Sequence, residues 1–375
     1  MDCYSVLAIP FNLRYIQKIR CRRDVVQTLI YSKKVVILVL YLYTLVTDNL
    51  SQNAMNFIKP LFLIILMVFV SCSSNEDDDS QANIGVVNFL NEVVNIMEVN
   101  SINRNTIDWS NFRNQVLEKG STVQRIDQTD DALRLALVLL GDNHSSIRKQ
   151  NGTFVTGSNA NCPPSSLETV AIPDNIGYIQ VRSFGGADPE AVVAFAENIQ
   201  EDIKTQDNQG ITGWIVDLRN NTGGNMWPML AGIGPILGEG TVGYFIGPDN
   251  SRQVWSFSGG AAILSSRPLA RVLDNYELLN PNPKVAVLLN KAVASSGEAI
   301  AISFIGRENT MSFGSETCGL STANLAFTLS NGWILALTTS YMADRNQNVF
   351  GVPITPDTPA TNRTIVQDAI SYLNN

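Results

Sequence analysis

Histidine is the scarcest chemical resource in this chain: 375 residues hold one, His144. Any imidazole chemistry must therefore use it, and a histidine-rich metal site is excluded. Cysteine is scarce too, with five residues and no Cys-x-x-Cys pair. That excludes a disulfide scaffold and a thiolate zinc site, so no metal and no cofactor is expected. Basic charge is thin where it would matter. Residues 72 to 375 carry 18 Lys or Arg against 31 Asp or Glu, a balance of 18 − 31 = −13, with no basic stripe. An acidic body of this kind argues against nucleic acid as a partner. Internal repeats are absent as well, which excludes a solenoid.

Apolar residues are plentiful, at 45%, enough for a large core and one or two domains. From Met55 the chain runs Met-Asn-Phe-Ile-Lys-Pro, then the ten apolar residues Leu61 to Val70, then Ser71-Cys72 and an acidic tract through Asp79. Ten residues are too few to span a bilayer, whereas a lysine, a short apolar segment and a small residue before cysteine form a secretory signal. The segment resembles a bacterial lipoprotein signal, which would make Cys72 the acylated first residue of the mature protein. The acidic tract resembles the tether of surface lipoproteins of the Bacteroidetes. Residues 55–71 are thus expected to be a signal peptide, and 72–84 an acidic disordered tether. Residues 1–54 are expected to be a non-native or membrane-associated extension, with Met55 as the true start. The implied place is the bacterial cell envelope, lipid-anchored at the outer membrane on its periplasmic or surface face.

Helical spacing follows at Val86, Val87, Leu90, Val93, Val94 and Met97, then at Trp109, Phe112, Val116 and Leu117, then at Leu133, Leu135, Val138 and Leu139. This predicts a small helical domain over 85–145, stopped by Gly141. Beyond it, 146–375 alternates buried strands with helices. Ile176 to Val181 and Gly213 to Leu218 read as strands, joined by a helix from Pro189 to Lys204 that Asp188 starts. Val285 to Leu289 is a third strand, followed by a helix at 298 to 305. Strand, helix, strand implies a right-handed parallel crossover. Residues 325 to 341 predict a hairpin turning at Asn331-Gly332, and a last helix runs from Asn362 to Leu373.

Three turns could carry chemistry. Ala294-Ser295-Ser296-Gly297 joins a strand to a helix start, where a serine hydroxyl would stand beside unpaired amides; either serine could equally be a helix cap. Asp217-Leu218-Arg219-Asn220-Asn221-Thr222-Gly223-Gly224 follows a buried strand, and its glycines would let amides approach an oxyanion. A phosphate loop is disfavoured there because no lysine follows the glycines. The third turn is Gly141-Asp142-Asn143-His144-Ser145. Together they offer a nucleophile, oxyanion donors and a base, the requirements of serine acyl transfer. Cys162 and Cys318 could pair in an oxidising compartment or be separate buried thiols.

The stretch Ile215 to Gly224 resembles the "DLRxNxGG" signature of the serine peptidases that include the C-terminal processing (tail-specific) proteases and the tricorn core protease. Ala294 to Glu298 resembles their nucleophile motif. The resemblance covers roughly residues 85 to 372. It implies an α/β (α+β) fold, a ClpP/crotonase-like core with parallel β-α-β crossovers plus the small N-terminal helical domain. It assigns Ser295 as nucleophile. Tail-specific members take a lysine as base downstream of that serine. Here no lysine follows Lys291 and Leu320 stands in its place. That leaves the tricorn-like Ser/His branch, whose "LxDxH" pattern Leu140 to His144 resembles, with His144 as general base. The acid orienting it is expected at Asp344, with Glu316 and Asp357 as rivals. Oxyanion donors are expected at Gly223 or Gly224 and at Ser296. The stretch from Ser145 to Ile176 is too short for a PDZ domain, so a peptide or protein substrate would be held by the core and the helical domain; Met226 to Leu230 could line that cleft, but an apolar helix start packed inside is the favoured reading of them. The expected activity is a serine-type endopeptidase. The alternative is an inactive peptide- or ligand-binding lipoprotein on the same scaffold.

Overall fold

The computed structural model describes residues 77–157 and 162–375. Cys72, the signal peptide and the N-terminal extension lie outside the described residues. Three helices come first: α1 (Asp77–Asn100), α2 (Trp109–Lys119) and α3 (Asp130–Leu140). Helix α1 begins inside the acidic tract, so from Asp77 onward the expected tether is helical. Asp108 caps α2 by accepting from the Asn111 N–H, and Gly141 ends α3 with φ +70°, a conformation that glycine adopts without a Cβ penalty.

Two short strands, β1 (Ser146–Arg148) and β2 (Phe154–Thr156), lead into β3 (Ile176–Gln180). Helix α4 (Pro189–Gln206) starts as the sequence predicts: the Asp188 carboxylate accepts from the Ala191 N–H at 2.9 Å, and proline occupies the first turn, where it costs no hydrogen bond. Then come β4 (Gly213–Asp217), α5 (Met226–Leu237), the strands β5 (Gly240–Ile246), β6 (Arg252–Ser258), β7 (Ala261–Leu264) and β8 (Arg267–Arg271), and β9 (Lys284–Leu289). Helix α6 (Ser296–Phe304), β10 (Thr310–Gly314), β11 (Thr322–Thr328), β12 (Ile334–Ala343), β13 (Thr358–Pro359) and α7 (Ile365–Asn374) complete the chain.

The fold is mixed α/β. Five parallel strands run in the order β13-β10-β9-β4-β3, and an antiparallel sheet runs β2-β1-β12-β5-β6-β7-β8 with β11 also on β12. Alternation along β9 explains why its sequence is apolar throughout. Val285, Val287 and Leu289 face one core with α4, α5 and α6, while Ala286 and Leu288 face another with α7. Helix α5 packs against β6, β7 and β8, so it fills the space between the two sheets. The third core differs from the expected division at residue 145. Helices α1 to α3 share one apolar cluster with Ile147 and Val155 of β1 and β2 and with Leu335 and Leu337 of β12. Three helices of this size cannot cover their own apolar faces, and the end of the antiparallel sheet closes them. The turn carrying His144 is thereby fixed between α3 and β1.

Candidate active site

Two strand-to-helix turns meet at the C-terminal end of the parallel sheet, the place where α/β sheets leave a crevice. After β9, the Ala294 N–H donates to the Asn221 carbonyl at 3.0 Å and the Gly297 N–H to the Ala294 carbonyl at 2.9 Å. Between them Ser295 takes φ 52° and ψ −119°, a conformation costly for any side chain with a Cβ and held only by surrounding contacts. One such contact is its own N–H, which donates to Glu298 Oε2 at 3.0 Å. Ser295 is at once the N-cap residue of α6, in a capping box with Glu298, and part of the lining of an open cleft of about 540 Å³.

After β4, the glycine turn folds back onto that serine. Gly223 has φ +101°, and a Cβ there would lie 2.8 Å from the Ala294 carbonyl oxygen and 2.9 Å from both the Ser295 Cβ and the Ser296 nitrogen. Only a residue without a side chain lets the two turns touch. Ser296 Oγ donates to the Gly224 carbonyl at 2.6 Å and pins the contact. The Gly223 N–H is committed to Asn221 Oδ1 at 3.0 Å. Among the described residues, the Gly224 and Ser296 N–H groups have no protein acceptor, which makes them the open donors beside Ser295. Of the two expected glycines, Gly224 is thus the one with an amide to spare.

His144 is tied to one wall of this cleft through Thr322, and among the described residues no hydrogen bond joins it to Ser295. Its Nδ1 lies 2.8 Å from Thr322 Oγ1, and Thr322 lines the cleft with Ser295, Ser296 and Gly224. The backbone around it is tightly held: the Asp142 carboxylate accepts from the N–H groups of His144 (2.9 Å) and Ser145 (2.7 Å), and Asn324 Nδ2 donates to the His144 carbonyl at 3.0 Å. Burial pushes the imidazole down to about 4, against the opposing pull of the Asp142 charge. His144 is therefore neutral at pH 7 and able to accept a proton. Met226, Trp227, Phe245, Leu264 and Met342 supply an apolar wall to the cleft, with Arg104 and Asp249 at its rim. Of the stretch Met226 to Leu230, Met226 and Trp227 line the cleft, while Met229 and Leu230 pack into the core as an apolar helix start would.

Residues 175–360 match peptidase family S41, a span that takes in both the glycine turn and Ser295. The chain carries a domain of that family. Among curated relatives, the nisin-resistance protein of Lactococcus lactis subsp. lactis is 26% identical over 256 residues, 68% of this chain and 77% of that one. The chloroplastic carboxyl-terminal-processing peptidase 2 of Arabidopsis thaliana is 28% identical over 185 residues, 49% of this chain and 32% of that one. A solved lipoprotein from Streptococcus agalactiae shares the fold with a TM-score of 0.63 at 24% identity, covering 77% of this chain and 96% of its own. The photosystem II D1 C-terminal processing protease shares it with a TM-score of 0.51 at 16% identity, covering 77% and 97%.

In this S41 domain the acid expected at Asp344 does not face the histidine. Its Oδ1 accepts from the N–H groups of Asn346 (2.8 Å) and Asn348 (2.9 Å), and its Oδ2 from Asn348 Nδ2 (2.8 Å), so the carboxylate closes its own loop. The rivals are engaged elsewhere as well. Asp357 Oδ2 accepts from the Ser312 N–H and hydroxyl, and Glu316 Oε1 from Thr355 Oγ1. The group on His144 Nδ1 is the Thr322 hydroxyl, which sequence reading missed. A threonine at a strand start, 178 positions from the histidine, carries no local pattern. Glu298, placed in the nucleophile motif by resemblance but given no role, is fully buried and its carboxylate accepts the Ser295 amide. Cys162 and Cys318, left open between a bond and two thiols, form a disulfide with their Cα atoms 5.7 Å apart.

Proposed function

We propose that this S41 domain is a serine peptidase of the cell envelope that hydrolyses peptide bonds in peptides or proteins lying in the cleft beside Ser295. The Ser295 hydroxyl attacks the scissile carbonyl while the neutral His144 accepts its proton at Nε2. In the tautomer this requires, Nδ1–H donates to Thr322 Oγ1 and Nε2 is free to accept. The tetrahedral oxyanion is held by the Gly224 and Ser296 N–H groups. His144 next gives its proton to the departing amine, and water repeats the sequence on the acyl-enzyme. The observation that carries this reading is the contact of Gly223 with Ser295, which joins nucleophile and amide donors in the cleft that Thr322 also lines. Anchoring through a lipid on Cys72 would place the activity at the membrane.

A fluorophosphonate probe tests the assignment, because only an activated serine reacts with it. The purified protein should carry one adduct, located by mass spectrometry on Ser295, and Ser295→Ala and His144→Ala should carry none. A wild-type protein that stays unlabelled while folded would instead be the noncatalytic peptide-binding lipoprotein.

The buried imidazole also fixes a pH dependence. Activity needs the neutral form, and burial lowers the proton affinity of His144 from the ordinary 6.5 to about 4. The rate should therefore stay level as pH falls through the usual imidazole range and drop only near pH 4. An acid limb of kcat/KM centred on 6.5 would show that the group lost on acidification is not this buried base.

A further inference from the structure

The Ser295 conformation is costly, so something must hold it, and the contacts on Glu298 form a continuous chain that leads away from the cleft. Glu298 Oε2 accepts the Ser295 N–H at 3.0 Å. Its Oε1 accepts the Gly319 N–H at 2.9 Å and the Thr317 hydroxyl. Thr317 Oγ1 itself accepts the Ile354 N–H at 2.8 Å, so its hydrogen points at the carboxylate. Three donors converge on one fully buried carboxylate, and Cys318 sits between the two residues that supply two of them. Cys318 is bonded to Cys162. Three residues on, Ser165 exchanges backbone bonds with the Asn220 side chain at 3.0 and 2.7 Å, while its Oγ accepts from Asn290 Nδ2 at 3.1 Å. Asn220 belongs to the glycine turn and Asn290 to the turn leading to Ser295. The path closes on itself around the nucleophile.

Resting on the peptidase reading above, we infer that Glu298 is a positioning residue that holds the Ser295 amide, and that the Cys162–Cys318 disulfide keeps the 316–320 loop seated on Glu298, so that reduction of this bond slows turnover in a protein that remains folded. Both cysteines are partly exposed, which gives a reductant access. The step balances with a dithiol. Its two thiols supply two electrons and two protons, the Cys162–Cys318 bond breaks to two S–H groups, and the dithiol closes to its own disulfide. Glu298 then loses the restraint on its Oε1 donors and Ser295 relaxes from its strained corner.

The test crosses Glu298→Gln with reduction by dithiothreitol, followed by kcat and KM on a peptide substrate, circular dichroism and hydrogen exchange. Glutamine keeps an acceptor for Thr317 and Gly319 but turns an NH2 group toward the Ser295 N–H. Glu298→Gln should lower kcat by roughly 10- to 100-fold with KM nearly unchanged, because displacing the nucleophile spoils attack more than binding. Reduction should lower wild-type kcat about tenfold and do little further to Glu298→Gln, since the two act through one contact. Hydrogen exchange over 293–299 should quicken in both, a reading that needs no turnover. The inference falls if reduction leaves wild-type kcat unchanged, if it slows Glu298→Gln by the same factor as wild type, or if it unfolds the protein outright, which would make the bond a staple of the whole fold. A wild-type protein that folds but neither turns over nor takes the fluorophosphonate defeats the peptidase reading itself.

Discussion

Replacing Ser295 with alanine should lower kcat by about 10⁴- to 10⁶-fold and leave the fold intact, since Ser295 lines the cleft and belongs to none of the apolar cores. His144→Ala should cost a comparable factor. The double variant should be no worse than either single one, because nucleophile and base act as one unit and removing the first leaves the second nothing to do. Steady-state hydrolysis of a peptide substrate checks all three, with circular dichroism to show that each protein is folded. Activity surviving in Ser295→Ala would dismiss the assignment, and additive losses in the double variant would mean that His144 works by another route.

Gly223→Ala carries the largest expected effect on the structure itself. The new methyl would stand 2.8 Å from the Ala294 carbonyl and 2.9 Å from the Ser296 nitrogen, both backbone atoms that cannot swing aside, at a residue with φ +101°. Strain and overpacking together cost roughly 2–5 kcal/mol, equivalent to a fall in Tm of about 5–15 °C for a domain of this size. Whatever protein remains folded should still be slowed by roughly 100-fold, because the glycine turn and the serine turn can no longer approach. Gly224→Ala is strained in a different place, against the Phe184 carbonyl, so it should damage folding without moving Ser295 directly. A Gly223→Ala protein with wild-type Tm and rate would show that the close approach of the two turns matters to neither.

The strands around the crevice were legible because a parallel strand buried on both faces has no choice but to be apolar along its length, as Trp214 to Val216 and Val285 to Leu289 are. The start of α4 was legible because Asp188 and Pro189 have few other uses side by side. The hairpin between β11 and β12 was legible from Asn331-Gly332, whose glycine has φ +80°. The four strands from Gly240 to Arg271 were not read, although Gly247-Pro248-Asp249-Asn250 and Gly259-Gly260 mark turns between them. The candidate site divides in the same way. Ser295, the glycine turn and His144 each sit in a local pattern. Which partner a loop carboxylate takes is not written in a motif, and Asp344 accepts from its own loop at Asn346 and Asn348. The partner of His144 is settled by strand pairing, which brings Thr322 alongside a turn that no spacing rule connects to it.

That pairing has a consequence for when the protein becomes dangerous. The His144 turn is fastened by β12, through Ser146 opposite Ala336 and Ser145 against Thr338, and by Thr322 on its ring. All of these are synthesised after Ser295. A chain still emerging from the ribosome therefore holds Ser295 before the strand that fastens the His144 turn exists. On the proposed peptidase reading, activity would have to wait until the chain has been made past Thr338.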